Sequence, residues 1–541
     1  MSAVASTEGK VPSSGPFPSG KMSAWAVKLV ILGLIDVLGI WALAKSLTAE
    51  WWLAVVFLAV VLVLVNVTYF RRGGLPFKYL LPGLIFLVAF QLYPAGYTFG
   101  ASFTNYGTGH LIPQEQVVTA IVAQSARPVD GSPSYTVVPL EKDGDIFMLV
   151  TDPTTPNTAQ LGSNEELVPA PDATFEGGKA TGLDGYQSLN LGTLASNPDW
   201  DQQWQELTVP WDEDAGIYLK AQSPARAAEV KSTVVYDKEA DTFTDTTTGV
   251  VFSPNGEIGL YTAPGFDVDA ATTGVNAGKF LNPGWPVFVG LDNYTRMLTD
   301  PGVRANFIPI LLWSFVFAIG TVLMQFVFGL LLAMVMQEKR MRGQKIYRIL
   351  LVLPYALPIF MTALVWKGMF NKDFGIINQI LGVDIDWLGD GTLAKFALLT
   401  VNLWIGYSYM FLVVTGALTS IPSDLREAAF VDGASGFKAF RTVVLPLLMV
   451  SVSPLLIASF SFNFNNFTLV ELLTGGGPFP GSPIQGGETD LLITYTYRLA
   501  FGTSEQLLGF ASAISMLIFV IVAGFSAYGF RLTRKLEEIK A

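Results

Sequence analysis

The chain has 541 residues, of which 51% are hydrophobic and only 14% are charged, against about 25% charged in an ordinary soluble domain. This excess of apolar residues indicates a membrane protein. The lack of cysteine and the single histidine exclude a disulfide framework and any thiolate- or histidine-based metal site. The net charge of −11 argues against nucleic acid as a partner.

The charge is unevenly distributed along the chain. Residues 101–300 hold 27 of the 44 acidic and 9 of the 33 basic residues, a net charge of −18, whereas the remaining 341 residues carry +7. The chain is therefore expected to occupy two different environments.

Eight segments are long and apolar enough to span a membrane, since a spanning helix needs about 20 mostly apolar residues. They are residues 25–44, 51–70, 79–100, 306–336, 349–369, 394–418, 440–466 and 507–530. Residues 1–22 are rich in Ser, Gly and Pro and are predicted to be disordered. Cleavage after Ala42-Leu43-Ala44 would leave seven spans, but the length of this first segment and its Asp36 favour retention.

Lysine and arginine concentrate in four regions: after the second span, between the fourth and fifth, before the seventh and after the eighth. With eight spans these regions all fall on one side, which the positive-inside rule makes cytoplasmic. Both termini are then cytoplasmic and the acidic block is extracytoplasmic. The predicted organisation is spans 1–3 in residues 23–103, an inserted domain in 104–303, a core of five spans in 304–530 and a cytoplasmic tail in 531–541.

The inserted domain shows strand-like runs at residues 135–138, 147–150 and 232–236, separated by turn signals such as Asp143-Gly144. About 200 residues are enough for an independent core. We predict a mostly-β or α+β domain. We interpret its many carboxylates as a solvated surface, and we expect the domain to serve as a docking platform.

The loop between the sixth and seventh spans, residues 419–439, carries a distinctive pattern. Glu427-Ala428-Ala429 is followed by Gly433 and later by Leu445-Pro446. Pro422-Ser423 is a helix-start signal and Gly433 permits the backbone to reverse, so the pattern predicts a short helix over 424–431. Such a helix is suited to a groove on a cytoplasmic partner.

This loop matches the EAA motif of the permease subunits of ATP-binding-cassette (ABC) importers. Four further segments, and the large insertion after the third span, resemble the maltose/maltodextrin permease family. The segments are residues 402–411, 458–467, 473–478 and 495–501. The resemblance is clear over 290–541 and only architectural over 1–290. It implies an all-α polytopic membrane protein with the type I ABC-importer permease fold, interrupted by the inserted domain.

The resemblance also implies a function and partners. The chain would translocate maltose/maltodextrin-type oligosaccharides across the bacterial cytoplasmic (inner) membrane, delivered by an extracytoplasmic sugar-binding protein. It would assemble in the lipid with a second, MalG-like permease subunit and two MalK-like ATPase subunits. The chain has no G-x-x-x-x-G-K-[ST] phosphate loop. ATP and Mg would therefore be bound by the partners, leaving this chain without a cofactor or catalytic residues. The resemblance assigns ATPase coupling to Glu427, Ala428, Ala429 and Gly433.

A sugar site follows from polar residues inside the spans. With Phe462 they recur on the seventh span at i, i+3, i+4 and i+7, and with Gly406 they recur on the sixth at i, i+4 and i+7. In lipid such groups are costly unless they face a partner or a water-filled path. Amides can bond sugar hydroxyls, aromatic faces can stack on sugar rings, and a glycine leaves room. With Ile405, these positions match the family's sugar site: Asn402, Ile405, Gly406, Tyr409, Ser459, Phe462, Asn463 and Asn466. The alternative is packing between helices.

The loop between the seventh and eighth spans contains Gly475, Gly476, Gly477 and Pro478. Glycines allow close backbone approach, so we predict contact with the binding protein, with a flexible turn as the alternative. Three other functions stay open: a permease for another sugar such as trehalose, an ion-coupled secondary transporter, and a membrane enzyme whose inserted domain acts on polysaccharide.

Overall fold

The computed structural model describes residues 19–71, 73–129, 131–212, 217–267, 276–338, 341–481, 486–502 and 506–538. Most of the predicted disordered N-terminus lies outside these ranges, as do several basic residues used for the orientation. Those basic residues are Arg72, Lys339, Arg340 and Lys540. The chain forms two compact units that divide between Tyr97 and Thr98.

The first unit contains helices that are apolar on nearly every face. They are α1 (Ser19–Thr48), α2 (Trp52–Phe70) and α3 (Leu75–Leu87), and a π-helical turn (Val88–Leu92) joins α3 to α4 (Tyr93–Ala101). A small core of Leu32, Val65 and Leu81 holds α1–α3 together. The carboxylate of Asp36 accepts a 2.7 Å hydrogen bond from the Asn66 amide. This bond gives the mid-span acid a partner on the neighbouring helix.

The second unit contains an inserted antiparallel β domain, which confirms the predicted fold class. Its helices are short: α5 (Gln114–Ser125), α6 (Leu191–Ser196), α7 (Pro198–Glu206) and α8 (Asp292–Thr299). The strands are β1 (Ala126–Pro128), β2 (Tyr135–Lys142), β3 (Asp145–Thr151), β4 (Gln160–Gly162), β5 (Leu167–Pro169), β6 (Ala173–Glu176), β7 (Lys179–Leu183), β8 (Gln187–Ser188), β9 (Thr208–Asp212), β10 (Ile217–Ser223), β11 (Arg226–Ser232), β12 (Val234–Asp237), β13 (Thr242–Asp245), β14 (Val251–Asn255), β15 (Leu260–Thr262) and β16 (Phe280–Leu281).

The described strands form three sheets. The largest runs β5-β4-β3-β2-β11-β10-β9, with β1 beside β11 and β8 beside β2; the others are β12 to β16 in order and the β6-β7 hairpin. The strand-like runs at 135–138 and 147–150 are confirmed as parts of β2 and β3. The run at 232–236 was wrong as a single strand. The chain leaves the large sheet at Ser232, where the side-chain hydroxyl accepts from the Val234 amide, and enters the second sheet at Val234.

The permease core is built from long helices and short connecting ones. In chain order they are α9 (Pro301–Val335), α10 (Gln344–Val352), α11 (Ile359–Met369), α12 (Ile376–Leu381), α13 (Gly391–Ser420), α14 (Ser423–Val431), α15 (Gly436–Ala439), α16 (Leu445–Phe464), α17 (Phe467–Leu473), α18 (Leu492–Phe501) and α19 (Leu508–Glu538). A π-helical turn (Phe440–Val444) makes α15 and α16 one span. The core of these helices is apolar and includes Phe317, Phe411 and Phe464.

The described part of the chain has seven helices that meet the length and apolarity of a membrane span, or eight if one bent pair counts as a span. The segment predicted as the fifth span, residues 349–369, belongs to this bent pair, in which Gln344–Ala356 and Ile359–Met369 meet at 93°. Pro358 is the physical reason. It lacks an N–H for the helix ladder and disfavours helical geometry in the residue before it, and Leu357 is accordingly extended, with φ −88° and ψ 135°.

Candidate functional site

All eight residues predicted to bind substrate line one cavity of about 380 Å³. This volume lies within the range of small-molecule pockets. Sequence reasoning missed the other residues of its wall, which are Gln325, Tyr355, Leu357, Ile359, Ala458 and Leu469. The cavity therefore lies where α9, α13, α16 and α17 meet the bend between α10 and α11. Its role in binding sugar stays a prediction.

Buried amides form one side of the cavity. The Nδ2 of Asn402 donates to Asn463 Oδ1 at 2.8 Å and to Thr321 Oγ1 at 3.2 Å. Asn463 in turn donates to the Ser459 carbonyl at 2.8 Å. Both asparagines are only 3% exposed. Within the described residues nothing donates to Asn402 Oδ1, so this oxygen can accept from a ligand hydroxyl.

Gly406 makes room for a protein side chain. A Cβ on Gly406 would lie 1.9 Å from Gln325 Nε2, which donates a 2.8 Å hydrogen bond to the Asn402 carbonyl. The space beside this glycine is thus taken by Gln325, and the role of Gly406 in leaving room for sugar stays a prediction. The signal for Gln325 was a glutamine in the middle of an apolar span, because such residues are rare in membrane helices and are usually functional.

Substitution of Gly406 by alanine is expected to lower sugar uptake about tenfold or more. The new methyl group would displace Gln325, and overpacking of this kind costs about 1–3 kcal/mol. Transport by reconstituted protein measures the effect. Gly416→Ala on the same helix is the matched control, because nothing lies within 4 Å of its added Cβ. An equal loss of uptake in both variants would mean that a general effect of the substitution on helix α13, and not the contact with Gln325, lowers transport.

Aromatic side chains also line the cavity. Tyr355 and Tyr409 stack with ring centroids 6.1 Å apart and an interplanar angle of 27°. Phe462 is 59% exposed, so its ring is free to contact a ligand. The site thus combines apolar faces with hydrogen-bonding groups, which is the chemistry that a sugar ring requires.

The helical stripe predicted on the seventh span holds for three of its four residues. Ser459, Phe462 and Asn463 lie on α16, but this helix ends at Phe464. Asn466 instead caps α17, where its side chain accepts from the Leu469 amide at 3.4 Å. It reaches the cavity through a turn in the chain and not through helical periodicity.

The EAA motif forms a short exposed helix, α14, between α13 and α15. Glu427 and Ala428 are exposed and Ala429 is half-buried. Three apolar side chains on and after the helix are also exposed: Phe430 and, still more, Val431 and Phe437. An apolar surface with a carboxylate at one side is suited to contact another protein.

Gly433 ends this helix in the way that the sequence predicts. Its φ is +77°, a left-handed conformation that glycine adopts without strain. The amide of Gly433 donates to the Phe430 carbonyl at 3.0 Å, and the Ala434 amide donates to the Ala429 carbonyl at 2.9 Å. This pair of bonds is the Schellman motif, which fixes where the helix stops.

The glycine loop, Gly475–Pro478, packs against its own chain. Gly476 and Gly477 are buried, and a Cβ on Gly476 would lie 2.0 Å from Asp490 Oδ1. The close backbone approach that suggested a partner is thus made within the subunit. Gly475 and Pro478 are partly exposed, and the interface prediction stays untested.

A buried ion pair organises this loop. Arg498 donates to both carboxylate oxygens of Asp490 and to the Gly475 carbonyl at 2.9 Å. The Gly487 amide and the Thr494 hydroxyl also donate to Asp490, at 2.6 and 2.8 Å. The side chain of Asp490 is fully buried. Sequence reasoning missed this pair because its members come from a loop and from the next helix.

Removal of the carboxylate in Asp490→Ala is expected to destabilise the protein by about 3–5 kcal/mol, because a guanidinium would be left buried without its partner. The thermal unfolding midpoint of the purified protein measures the loss. Glu488→Ala is the control. Glu488 is partly exposed and lies 3.7 Å from Lys395, so its removal should cost less than about 1 kcal/mol. Similar unfolding midpoints for both variants would contradict the stabilising role assigned to the buried pair of Asp490 and Arg498.

Two family models match the chain. "N-terminal of TM subunit in PBP-dependent ABC transporters" matches residues 85–165, and "Binding-protein-dependent transport system inner membrane component" matches residues 325–532. The maltose/maltodextrin transport system permease protein MalF of Vibrio vulnificus (strain YJ016) is 34% identical over 470 residues, 84% of this chain and 85% of the relative. MalF of Escherichia coli (strain K12) is also 34% identical, over 86% of this chain and 88% of the relative.

The chain belongs to the MalF family of transport-system permeases. The resemblance inferred from the EAA loop and the intramembrane segments is confirmed. Members of the MalF family are permease subunits and not enzymes, which confirms that this chain is a transporter subunit. It is the multi-pass inner-membrane component of a binding-protein-dependent system with partner subunits.

Solved ABC transporters are similar to a part of this MalF-family chain. A bacterial alginate ABC transporter in complex with an alginate-bound periplasmic protein is 21% identical with a TM-score of 0.40, covering 46% of this chain and 84% of that chain. The inward-facing MetNI methionine ABC transporter is 18% identical with a TM-score of 0.31, covering 44% of this chain and 98% of that chain.

Proposed function

We propose that this chain is the permease subunit of an importer for maltose/maltodextrin-type oligosaccharides and that the sugar passes through the 380 Å³ cavity. The observation that carries the proposal is the lining of that cavity. Buried amides held by hydrogen bonds and aromatic rings line the same space of ligand size. Packing between helices alone would bring such amides together but would leave no cavity beside them.

ATP hydrolysis comes from two partner ATPase subunits, which receive α14 in a groove. The exposed Glu427, the small Ala428 and Ala429, and the helix stop at Gly433 support this contact. A ligand or partner shifts a conformational equilibrium only through contacts that differ between states. We therefore assign to α14 the contact that changes when the ATPase subunits close on ATP. A second permease subunit completes the translocation path.

The inserted domain and the glycine loop lie on the extracytoplasmic side, where they receive the sugar-binding protein. The basic loops support this orientation, which places both termini in the cytoplasm. The domain assignment follows: spans in 23–103, the docking domain in 104–303, the permease core in 304–530 and the tail in 531–541. The acidic character of 101–300 supplies a solvated docking surface.

Uptake into proteoliposomes tests this function. The complex is reconstituted with its binding protein, and labelled maltose, maltotriose and trehalose are compared with and without ATP. We expect saturable uptake of maltose and maltotriose that requires both ATP and the binding protein, with little uptake of trehalose.

Two outcomes would contradict the proposal. Preferred transport of trehalose would change the substrate and keep the mechanism. Uptake that survives vanadate but stops with an uncoupler would instead indicate an ion-coupled transporter.

A further inference from the structure

A second cavity, of about 550 Å³, lies within the first unit between α1, α2 and α3. We call it the α1–α3 groove. Its wall is almost entirely apolar and includes Ile31, Val65, Leu81 and Ile85, with Lys28 and Tyr69 as its polar members. Nothing in the proposed sugar path uses this groove, because all of its residues precede Thr98 and all residues of the sugar cavity follow it.

One end of the groove is basic. The ammonium of Lys28 donates to the Tyr69 carbonyl at 2.5 Å and lies 5.3 Å from the ring centroid of Trp25. The Tyr69 hydroxyl donates to the Lys78 carbonyl at 2.8 Å, and the Lys78 ammonium donates to the Arg71 carbonyl at 2.6 Å. These bonds place the ammonium groups of Lys28 and Lys78 at the carbonyls where α2 ends.

Among the described residues of this unit, the nearest acid along the chain does not neutralise that end. Asp36 lies eight residues from Lys28 on α1, about 12 Å further along the helix axis. Its carboxylate is bonded to Asn66. Lys28 still has two N–H donors beyond its bond to Tyr69, because an ammonium carries three.

We propose that the α1–α3 groove binds an anionic phospholipid, with one acyl chain along the apolar wall and the phosphate at the ammonium groups of Lys28 and Lys78. An apolar slot that ends in cations matches the chemistry of this ligand. Basic pockets between membrane helices are a known means of binding anionic headgroups. A transmembrane helix of another subunit would cover the apolar wall equally well but would give the two ammonium groups no counter-charge.

Native mass spectrometry of the full-length chain tests the proposal. The protein is equilibrated with dioleoylphosphatidylglycerol or dioleoylphosphatidylcholine, and the retained lipid is counted. We expect preferential retention of one phosphatidylglycerol. Lys28→Gln should weaken its binding about fivefold, the effect of roughly one cation at a membrane surface. Ile31→Trp should reduce retention of both lipids by filling the groove.

Val30→Trp is the matched control for the groove variant. Val30 is adjacent on α1, is 67% exposed and does not line the groove, so its replacement should leave retention unchanged. Equal retention of the two lipids by the wild-type protein would overturn the proposal. The proposal would also be overturned if Ile31→Trp impaired assembly with the second permease subunit but left lipid retention unchanged. That result would identify a helix of the other subunit as the occupant of the groove.

Discussion

The double substitution Phe462→Ala and Asn463→Ala is expected to lower sugar uptake by at least about 100-fold. Loss of Asn463 leaves the buried amide of Asn402 without its 2.8 Å acceptor, and an unsatisfied buried polar group costs about 1–3 kcal/mol. Loss of Phe462 removes the exposed ring from the cavity wall. The sugar would then find neither the aromatic ring of Phe462 nor the ordered pair of Asn402 and Asn463.

Transport by the assembled complex measures this effect, and co-purification of the partner subunits shows whether assembly survives. Asn465→Ala is the matched control. Asn465 neighbours the cavity residues in sequence, but it is exposed and bonds the Ser461 carbonyl. Phe462→Ala alone keeps the buried amides intact and should still impair uptake. Normal transport by the double variant would remove the sugar assignment.

Substitution of Gly433 by alanine is expected to lower transport about tenfold while sugar binding is unchanged. Alanine in the left-handed conformation costs about 1–2 kcal/mol, so the Schellman motif would loosen and α14 would lose its fixed end. The proposed contact with the ATPase subunit depends on that helix. The measurement is the rate of ATP hydrolysis by the assembled complex. In Gly433→Ala we expect this rate no longer to respond to the sugar-loaded binding protein.

Gly436→Ala provides the control for this second variant. Gly436 lies three residues further on, where an added Cβ meets nothing within 4 Å and the backbone is not left-handed. It should transport at the wild-type rate. If Gly433→Ala remained fully coupled, or if both variants failed alike, α14 would not be the coupling element.

Local periodicity predicted much of the fold and the candidate site. The stripe of Asn402, Gly406 and Tyr409 lies on one continuous helix, α13, so spacing in sequence translates into position on a face. The short helix before Gly433 follows from glycine geometry in the same way. Apolar length was sufficient to find the spanning helices.

Long-range contacts could not be read from local pattern. Gln325 on α9 meets Gly406 on α13, and Arg498 on α18 bonds Asp490, which lies just before that helix. The sequence showed these residues as isolated polar groups without naming their partners. The sequence contains Pro354 and Pro358, but the segment was identified as a span by its apolar length alone, which gives no information about a bend. That bend brings Tyr355 to the cavity.

The most direct measurement is an electron cryomicroscopy map of the assembled transporter, trapped with maltotriose and its binding protein. The account predicts sugar density within hydrogen-bond distance of Asn402 or Asn463 and against the ring of Tyr409 or Phe462. Sugar density elsewhere along the membrane path, with the cavity between α13 and α16 filled by protein side chains, would contradict it.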